Sequence, residues 1–315
     1  MKRLIRAAAV AALAAPSVLA AQDRAYTGLV FRLPSSARTL AMGNVGIVGR
    51  DDDVLFYNPA QLVAARGTSV SAERYSRHAR GGTLSSVIRF GNGGIGIGAT
   101  VNNFRSGAIG GGATYPIDRL DMRGESALTA SSSNTLAIGL GQVFKGTRFG
   151  VTGKYLDEPA YASRNAATVF DVGVARDFFG YSFGLAVQNI GPDFDIVVND
   201  PNTGSQGSIA APGLPLTATL GAGRGRSIGP VDVVATAAVT YLRDGFVSPA
   251  GGAEVGWSWL EGYNVYARAG ARRPVRGEGA MTAGLGFVRD RLAIDYAIET
   301  LSGGRAGHRI GFRVR

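Results

Sequence analysis

The sequence predicts an all-β fold: a transmembrane antiparallel β-barrel of about 14 strands whose N-terminal segment is folded into it as a hatch. Three observations predict it. The chain begins with an export leader, its body repeats short segments of period-two alternation, and brief connections largely alternate with long ones. Bacterial outer-membrane barrels share all three features, with short periplasmic turns and longer extracellular loops.

The leader is residues 1–20. Lys2, Arg3 and Arg6 precede an apolar stretch from Ala7 to Ala15, and Ser17-Val18-Leu19-Ala20 ends in a small-residue cleavage pattern. That stretch is far short of the roughly 20 apolar residues a membrane-spanning helix requires, so it reads as a signal peptide and not an anchor. Beyond it, Gly, Ser, Thr, Arg or Asp interrupts every apolar run within a few residues. A mean hydropathy of +0.09 suits a barrel, whose strands need only about 9 to 11 alternating residues each.

Composition narrows the function classes. The 315 residues include 47 Gly, 12 Pro and no Cys, which excludes disulfides, thiol nucleophiles and Cys-based metal sites. The formal charge of +10 falls to +7 without the three leader cations. In an exported chain this surplus points to a barrel lumen, rims and lipopolysaccharide-facing loops, and argues against nucleic acid. Outer-membrane lipid and lipopolysaccharide are the expected surroundings.

Residues 21–67 are too irregular for barrel wall and too apolar for a free tail, and are expected to form the hatch. The barrel then occupies 68–315, with strands predicted at 68–75, 81–90, 93–102, 134–144, 147–156, 166–177, 181–190, 215–224, 230–242, 248–258, 262–272, 279–289, 291–301 and 306–315. Ile95, Ile97, Ala99 and Val101 alternate with Gly96, Gly98, Thr100 and Asn102. In the last segment Ile310, Phe312 and Val314 alternate with Arg309, Gly311 and Arg313, which suits lipid outside and water inside. Connections at 91–92, 145–146, 178–180, 225–229, 259–261 and 290 are brief; those at 103–133, 157–165, 191–214 and 273–278 are longer. Phe144, Phe149, Phe178, Phe179, Tyr181, Trp257, Trp259 and Tyr263 cluster at the brief turns as an interfacial girdle, the alternative being sheet-edge packing.

Within the hatch, Asn58-Pro59-Ala60 is the strongest local constraint. Pro fixes φ and removes a donor, and Asn readily bonds its own backbone. A rigid structural turn is the favoured reading, with a part in gating the alternative. Asp51, Asp52 and Asp53 could offer oxygen ligands to Ca²⁺, but their spacing fits no EF-hand loop, and a solvated or Arg-paired acidic turn is favoured. Strand parity directs Arg148, Lys154, Asp171, Glu254, Arg268, Asp295, Glu299, Arg309 and Arg313 into the lumen. Their mixed signs predict an ion-pair network holding hatch and wall together, in preference to one selecting solutes. His78 and His308 are the only histidines and are predicted to lie apart, so neither a metal site nor a catalytic dyad is expected. No G-x-S-x-G elbow and no P-loop ending occurs, so no catalytic residue and no cofactor are assigned.

At the hatch the run "AMGNVGIVGRDDDVLFYNPAQL" resembles the FadL-type outer-membrane superfamily and, within it, the PorV/PorQ family. "GKYLDEPAYASRNAATVFDVGVARD" with "FGLAVQNIGP", and then "GGAEVGWSW", "VYARAGARRP", "AGLGF", "LAIDYAIETL" and "HRIGF", follow the PorV/PorQ order over nearly the whole mature chain. This resemblance implies a 14-stranded barrel plugged by its N-terminal segment. It also implies two kinds of function. PorV-type members serve type IX secretion and would partner secreted cargo or secretion-machinery proteins, while FadL-type members take up long-chain fatty acids and other hydrophobic small molecules. On the resemblance, support for protein export or surface display is the leading expectation. A FadL-like uptake channel and a purely structural barrel are the alternatives.

Overall fold

The computed structural model describes residues 29–75, 79–107, 128–160, 163–192, 195–199, 206–210, 213–260, 262–274, 278–301 and 305–315. The expected export leader, residues 21–28 of the expected hatch, His78 and most of the 103–133 connection lie outside the described residues.

Sixteen strands are described: β1 (Gly67–Arg74), β2 (Ala79–Phe90), β3 (Gly93–Gly107), β4 (Leu128–Phe144), β5 (Thr147–Ala160), β6 (Ser163–Phe178), β7 (Tyr181–Ile190), β8 (Asp195–Asn199), β9 (Gln206–Ala210), β10 (Thr217–Ile228), β11 (Val231–Leu242), β12 (Val247–Leu260), β13 (Tyr263–Arg272), β14 (Glu278–Arg289), β15 (Leu292–Leu301) and β16 (Ala306–Val314). Fourteen of them form a closed antiparallel barrel in which each strand pairs with its chain neighbours, β7 pairs with β10, and β1 closes on β16. Closure leaves no unpaired sheet edge, the condition for strands to cross a bilayer. Strands β8 and β9 form a separate two-stranded hairpin inside the connection from β7 to β10, which the sequence predicted as a plain long loop.

The alternation read from the sequence is the alternation of the wall. Ile97, Leu136, Ile138, Leu140, Leu220, Leu285, Ile294 and Phe312 are all exposed on the outside. Gly96, Gly139, Gly184 and Gly221, which occupy the opposite parity, are buried inside. The girdle aromatics gather at the short-turn end with their rings outward, Phe178, Phe179, Trp257 and Trp259 among them, and the two Trp rings are stacked with centroids 6.3 Å apart. By the barrel rule this end is periplasmic.

All fourteen predicted wall strands occur, and the differences are at their ends. Strand β10 continues to Ile228, so the turn is Gly229-Pro230 and not the predicted 225–229. Strands β3 to β6 run on toward the long-loop end, where Asn102 pairs with Ser133 and Glu158 with Asn165. Beyond the lipid band an outward residue need not be apolar. Backbone pairing therefore continues after the hydropathic alternation stops.

Residues 29–66 lie within the lumen as short turns: a 3₁₀ turn Leu29–Arg32, a helix Ala37–Ala41, and 3₁₀ turns Asp52–Phe56 and Pro59–Val63. Their apolar residues form small clusters with the inner wall, such as Val54, Leu55 and Leu62 with Val87 and Ala137. The helix lies against β13 to β16, while Pro59–Val63 lies against β3 to β6 on the opposite side.

Candidate functional site

Glycine parity explains how this segment fits. At Gly150 a Cβ would stand 2.2 Å from the Pro59 carbonyl carbon, and at Gly173 it would stand 2.0 Å from Asn58 Oδ1. The hatch backbone therefore lies directly on the strands, where no larger residue leaves room. Asn58 is fully buried: its Oδ1 accepts from Ala60 N (3.1 Å) and its Nδ2 donates to the Ile47 carbonyl (3.0 Å). Pro59 occupies the first turn of the 3₁₀ segment, where a missing N–H costs nothing. Across the lumen, Thr282 on β14 staples the helix end, its hydroxyl accepting from Gly43 N at 3.0 Å and donating to the Ala41 carbonyl at 3.1 Å.

The three aspartates take different partners. Asp51 is ion-paired with Arg38 (2.6 Å), with Arg313 (2.5 Å) and with Arg315. Burial alone would raise its pKa, but Arg313, Arg38 and Arg315 hold it well below the usual carboxylate range. Asp52 forms no ion pair among the described residues: Oδ2 accepts from the Ser69 and Ser85 hydroxyls, and burial followed by the neighbouring Asp53 charge pushes its pKa up to about 6. Asp53 accepts from Ser36 Oγ (2.6 Å) and Thr39 Oγ1 (2.5 Å). Among the described residues the turn is thus ion-paired with arginine at one carboxylate only, and it is buried, not solvated, since all three aspartates are at most 4% exposed. It locks onto the wall through Arg38, which also pairs with Glu254, and through Arg313, which reaches Asp295 at 3.5 Å. Arg268 completes this network, pairing with Glu254 at 2.5 Å and Asp295 at 2.6 Å.

Toward the long-loop end the hatch stops short of filling the lumen and leaves a cavity of about 140 Å³. Its hatch side presents Val30, Phe31, Leu33, Val45, Ile47 and Phe56, interspersed with Arg32, Ser35, Asn44 and Tyr57; its wall side carries hydroxyls and amides, with Thr83, Thr100, Asn102, Thr135, Thr217, Thr219 and Thr240. The charged wall residues on the lining are neutralised in place. Lys154 pairs with Asp171 (2.9 Å), Arg272 pairs with Glu299 (2.5 Å), and Glu73 pairs with Arg309. Arg32 on the hatch side is engaged as well. In contrast, Thr100 Oγ1, Asn102 Oδ1 and Thr135 Oγ1 are buried with no hydrogen-bond partner among the described residues.

All nine residues directed inward by parity are buried in the lumen. They do not form one cross-lumen network. Arg268, Glu254, Asp295 and Arg313 gather around Asp51 and Arg38, while Lys154–Asp171 and Arg309–Glu73 pair between neighbouring strands, Arg272 reaches Glu299 across the intervening β14, and Arg148 pairs with Asp177 (2.7 Å) at the short-turn end. Sequence reasoning passed over Arg38, Glu73, Asp177, Arg272 and Arg315. Arg272 shares the parity of Arg268, and Glu73 directly opposes Arg309, so strict parity would have found both. Arg38 has no such signal because the hatch lacks a period. His308 is exposed on β16, its Nδ1 2.7 Å from the Tyr296 hydroxyl.

No protein-family model matches the sequence, and no curated protein matches it. Solved structures do resemble the fold. A Pseudomonas aeruginosa FadL homologue aligns with a TM-score of 0.55 at 10% identity, covering 89% of this chain and 97% of that one. The Ralstonia pickettii toluene transporter TbuX gives 0.52 at 13% identity, with 90% and 99% covered. The P. putida toluene transporter TodX gives 0.51 at 11% identity, with 89% and 96% covered. At such identities the likeness is one of architecture: this chain is a closed 14-stranded antiparallel barrel of the kind seen in FadL-like outer-membrane proteins.

Proposed function

We propose that the protein is an outer-membrane channel for small, uncharged, largely apolar molecules, and that the cavity above the hatch is where such a molecule rests. The observation that carries this reading is the lining of the cavity. One side presents six apolar residues, each charged wall residue is already paired with an opposite charge and Arg32 is engaged, so among the described residues a carboxylate ligand would find no free cation and would have to shed its hydration uncompensated. The volume suits one aromatic ring, since an apolar cavity of about 150 Å³ is known to take up benzene. Named transporters of toluene among the structural neighbours support the same ligand class. A pocket combining an apolar body with a few converging polar groups is the usual form of a small-molecule site. The unpartnered oxygens of Thr100, Asn102 and Thr135 would favour a ring bearing one neutral hydrogen-bonding group.

Proteoliposome uptake tests this directly. Toluene and phenol should enter faster than benzoate or a long-chain fatty acid, and Ala250→Phe, which projects a ring into the cavity, should slow them while leaving barrel assembly intact. Equal uptake of benzoate, or no effect of the Phe, would remove the reading. Export or surface display is the second reading, favoured by the order of PorV/PorQ-like segments along the chain. Co-purification of cargo proteins from native membranes, with no solute uptake, would select it.

A further inference from the structure

Three arginines stand on the outer wall at the short-turn end. Arg176 on β6 shares the outward parity of Val172, Val174 and Phe178, and Arg224 and Arg226 on β10 share that of Leu220 and Ile228; all three are exposed. The register brings them together. Arg176 opposes Phe183 of β7, Phe183 opposes Ala222 of β10, and Arg224 lies two residues further along beside Tyr181. The Arg224 guanidinium sits 4.7 Å from the centre of the Tyr181 ring and its Nη1 donates to the Tyr181 hydroxyl at 2.9 Å. The patch therefore crosses three adjacent strands at the level of the girdle rings Phe178 and Tyr181. Strands lie about 4.8 Å apart, so extended arginine side chains from β6 and β10 can converge on one group between them.

Arg176 and Arg226 have no ion-pair or hydrogen-bond partner among the described residues. The neighbouring acids face elsewhere. Asp177 follows Arg176 in sequence, but it points the other way, to Arg148 at 2.7 Å and Arg50 at 3.2 Å. Asp232 accepts from Ser227 at 2.5 Å, on the parity opposite to Arg224 and Arg226. Arginine on the lipid face of a barrel is costly at the midplane and nearly free at the interface, where headgroup phosphates lie. A planar guanidinium matches a phosphate through two parallel hydrogen bonds.

We infer that Arg176, Arg224 and Arg226 form a binding site for the phosphate of an anionic phospholipid in the periplasmic leaflet, with Phe178, Tyr181 and Phe183 flanking its glycerol and upper acyl chain. The site fixes the depth and rotational setting of this side of the barrel. It depends on the barrel lying in a bilayer and not on what the lumen carries.

Native mass spectrometry of the full chain released from vesicles of mixed phosphatidylglycerol and phosphatidylethanolamine tests it. The wild type should retain phosphatidylglycerol preferentially, and the variant Arg176→Gln/Arg224→Gln/Arg226→Gln should lose that retention on the order of tenfold while remaining heat-modifiable on gels. Arg89→Gln/Arg291→Gln, which removes two exposed cations near other short turns, should retain it. No preference in the wild type, undiminished retention in the triple variant, or equal loss in the control pair would each overturn the site; the last would make it a response to overall charge.

Discussion

Arg38 of the hatch grips both carboxylate oxygens of Glu254 on β12, Nε to Oε2 at 2.9 Å and Nη2 to Oε1 at 2.6 Å, while its Nη1 reaches Asp51. One side chain thus ties the hatch helix to the wall and to the hatch's own acidic turn. Stranding a buried charge costs about 3 to 5 kcal/mol. Without Arg38, Arg268 still faces Glu254 and Arg313 and Arg315 still face Asp51, so the loss falls below that range and is chiefly the loss of the link between hatch and wall. Arg38→Ala should therefore loosen residues 29–66 without unfolding the strands, whose stability rests on inter-strand hydrogen bonds and the lipid-facing band. Hydrogen exchange should rise in the hatch and not in the wall, and conductance in a planar bilayer should increase. Unchanged conductance alongside faster exchange would mean that the hatch does not block the lumen.

The seat of Asn58 and Pro59 makes a second expectation. Gly173→Ala and Gly150→Ala place a methyl where the hatch backbone and the Asn58 amide now lie. Both should displace the Asn-Pro turn and raise conductance, as should Asn58→Ala with Pro59→Ala, while heat-modifiable assembly is kept. Gly153→Ala on β5 is the contrast: its Cβ would meet only the Phe170 ring at 3.6 Å, an ordinary contact on the lipid side. That variant should behave as wild type. A leaky Gly153→Ala, or tight Gly150→Ala and Gly173→Ala, would refute the assigned path.

A third expectation concerns pH. Asp52 has a folded pKa of about 6 against 3.8 for the free side chain, because burial disfavours its ionised form and Asp53 adds repulsion. The native hatch therefore binds the proton more tightly than the released hatch does. This contribution to seating is complete below about pH 4 and is lost as pH rises through about 6. Corrected for intrinsic rates, amides of 52–56 should exchange more slowly at pH 5 than at pH 7.5. Asp52→Asn should flatten that difference, and an undiminished slope in the variant would assign the effect to another group.

What the sequence determined by itself is the wall. Period-two alternation must persist wherever one face meets lipid and the other a filled lumen. Ile95 to Val101 and Arg309 to Val314 therefore announce their strands, and parity alone directs Arg268, Asp295 and Arg313 inward. Brief turns carry their own chemistry, seen at Gly91 and Gly146 with positive φ. Strand ends beyond the lipid band were hidden because no hydropathic contrast is required there. The tertiary structure alone decided the partners. That Asp51 meets three arginines while Asp52 meets two serines depends on where an aperiodic segment comes to rest against strands more than two hundred residues away in the case of Glu254, Arg313 and Arg315. No local pattern encodes such a meeting; it is fixed by which inward positions are glycine, and so by where a backbone can approach.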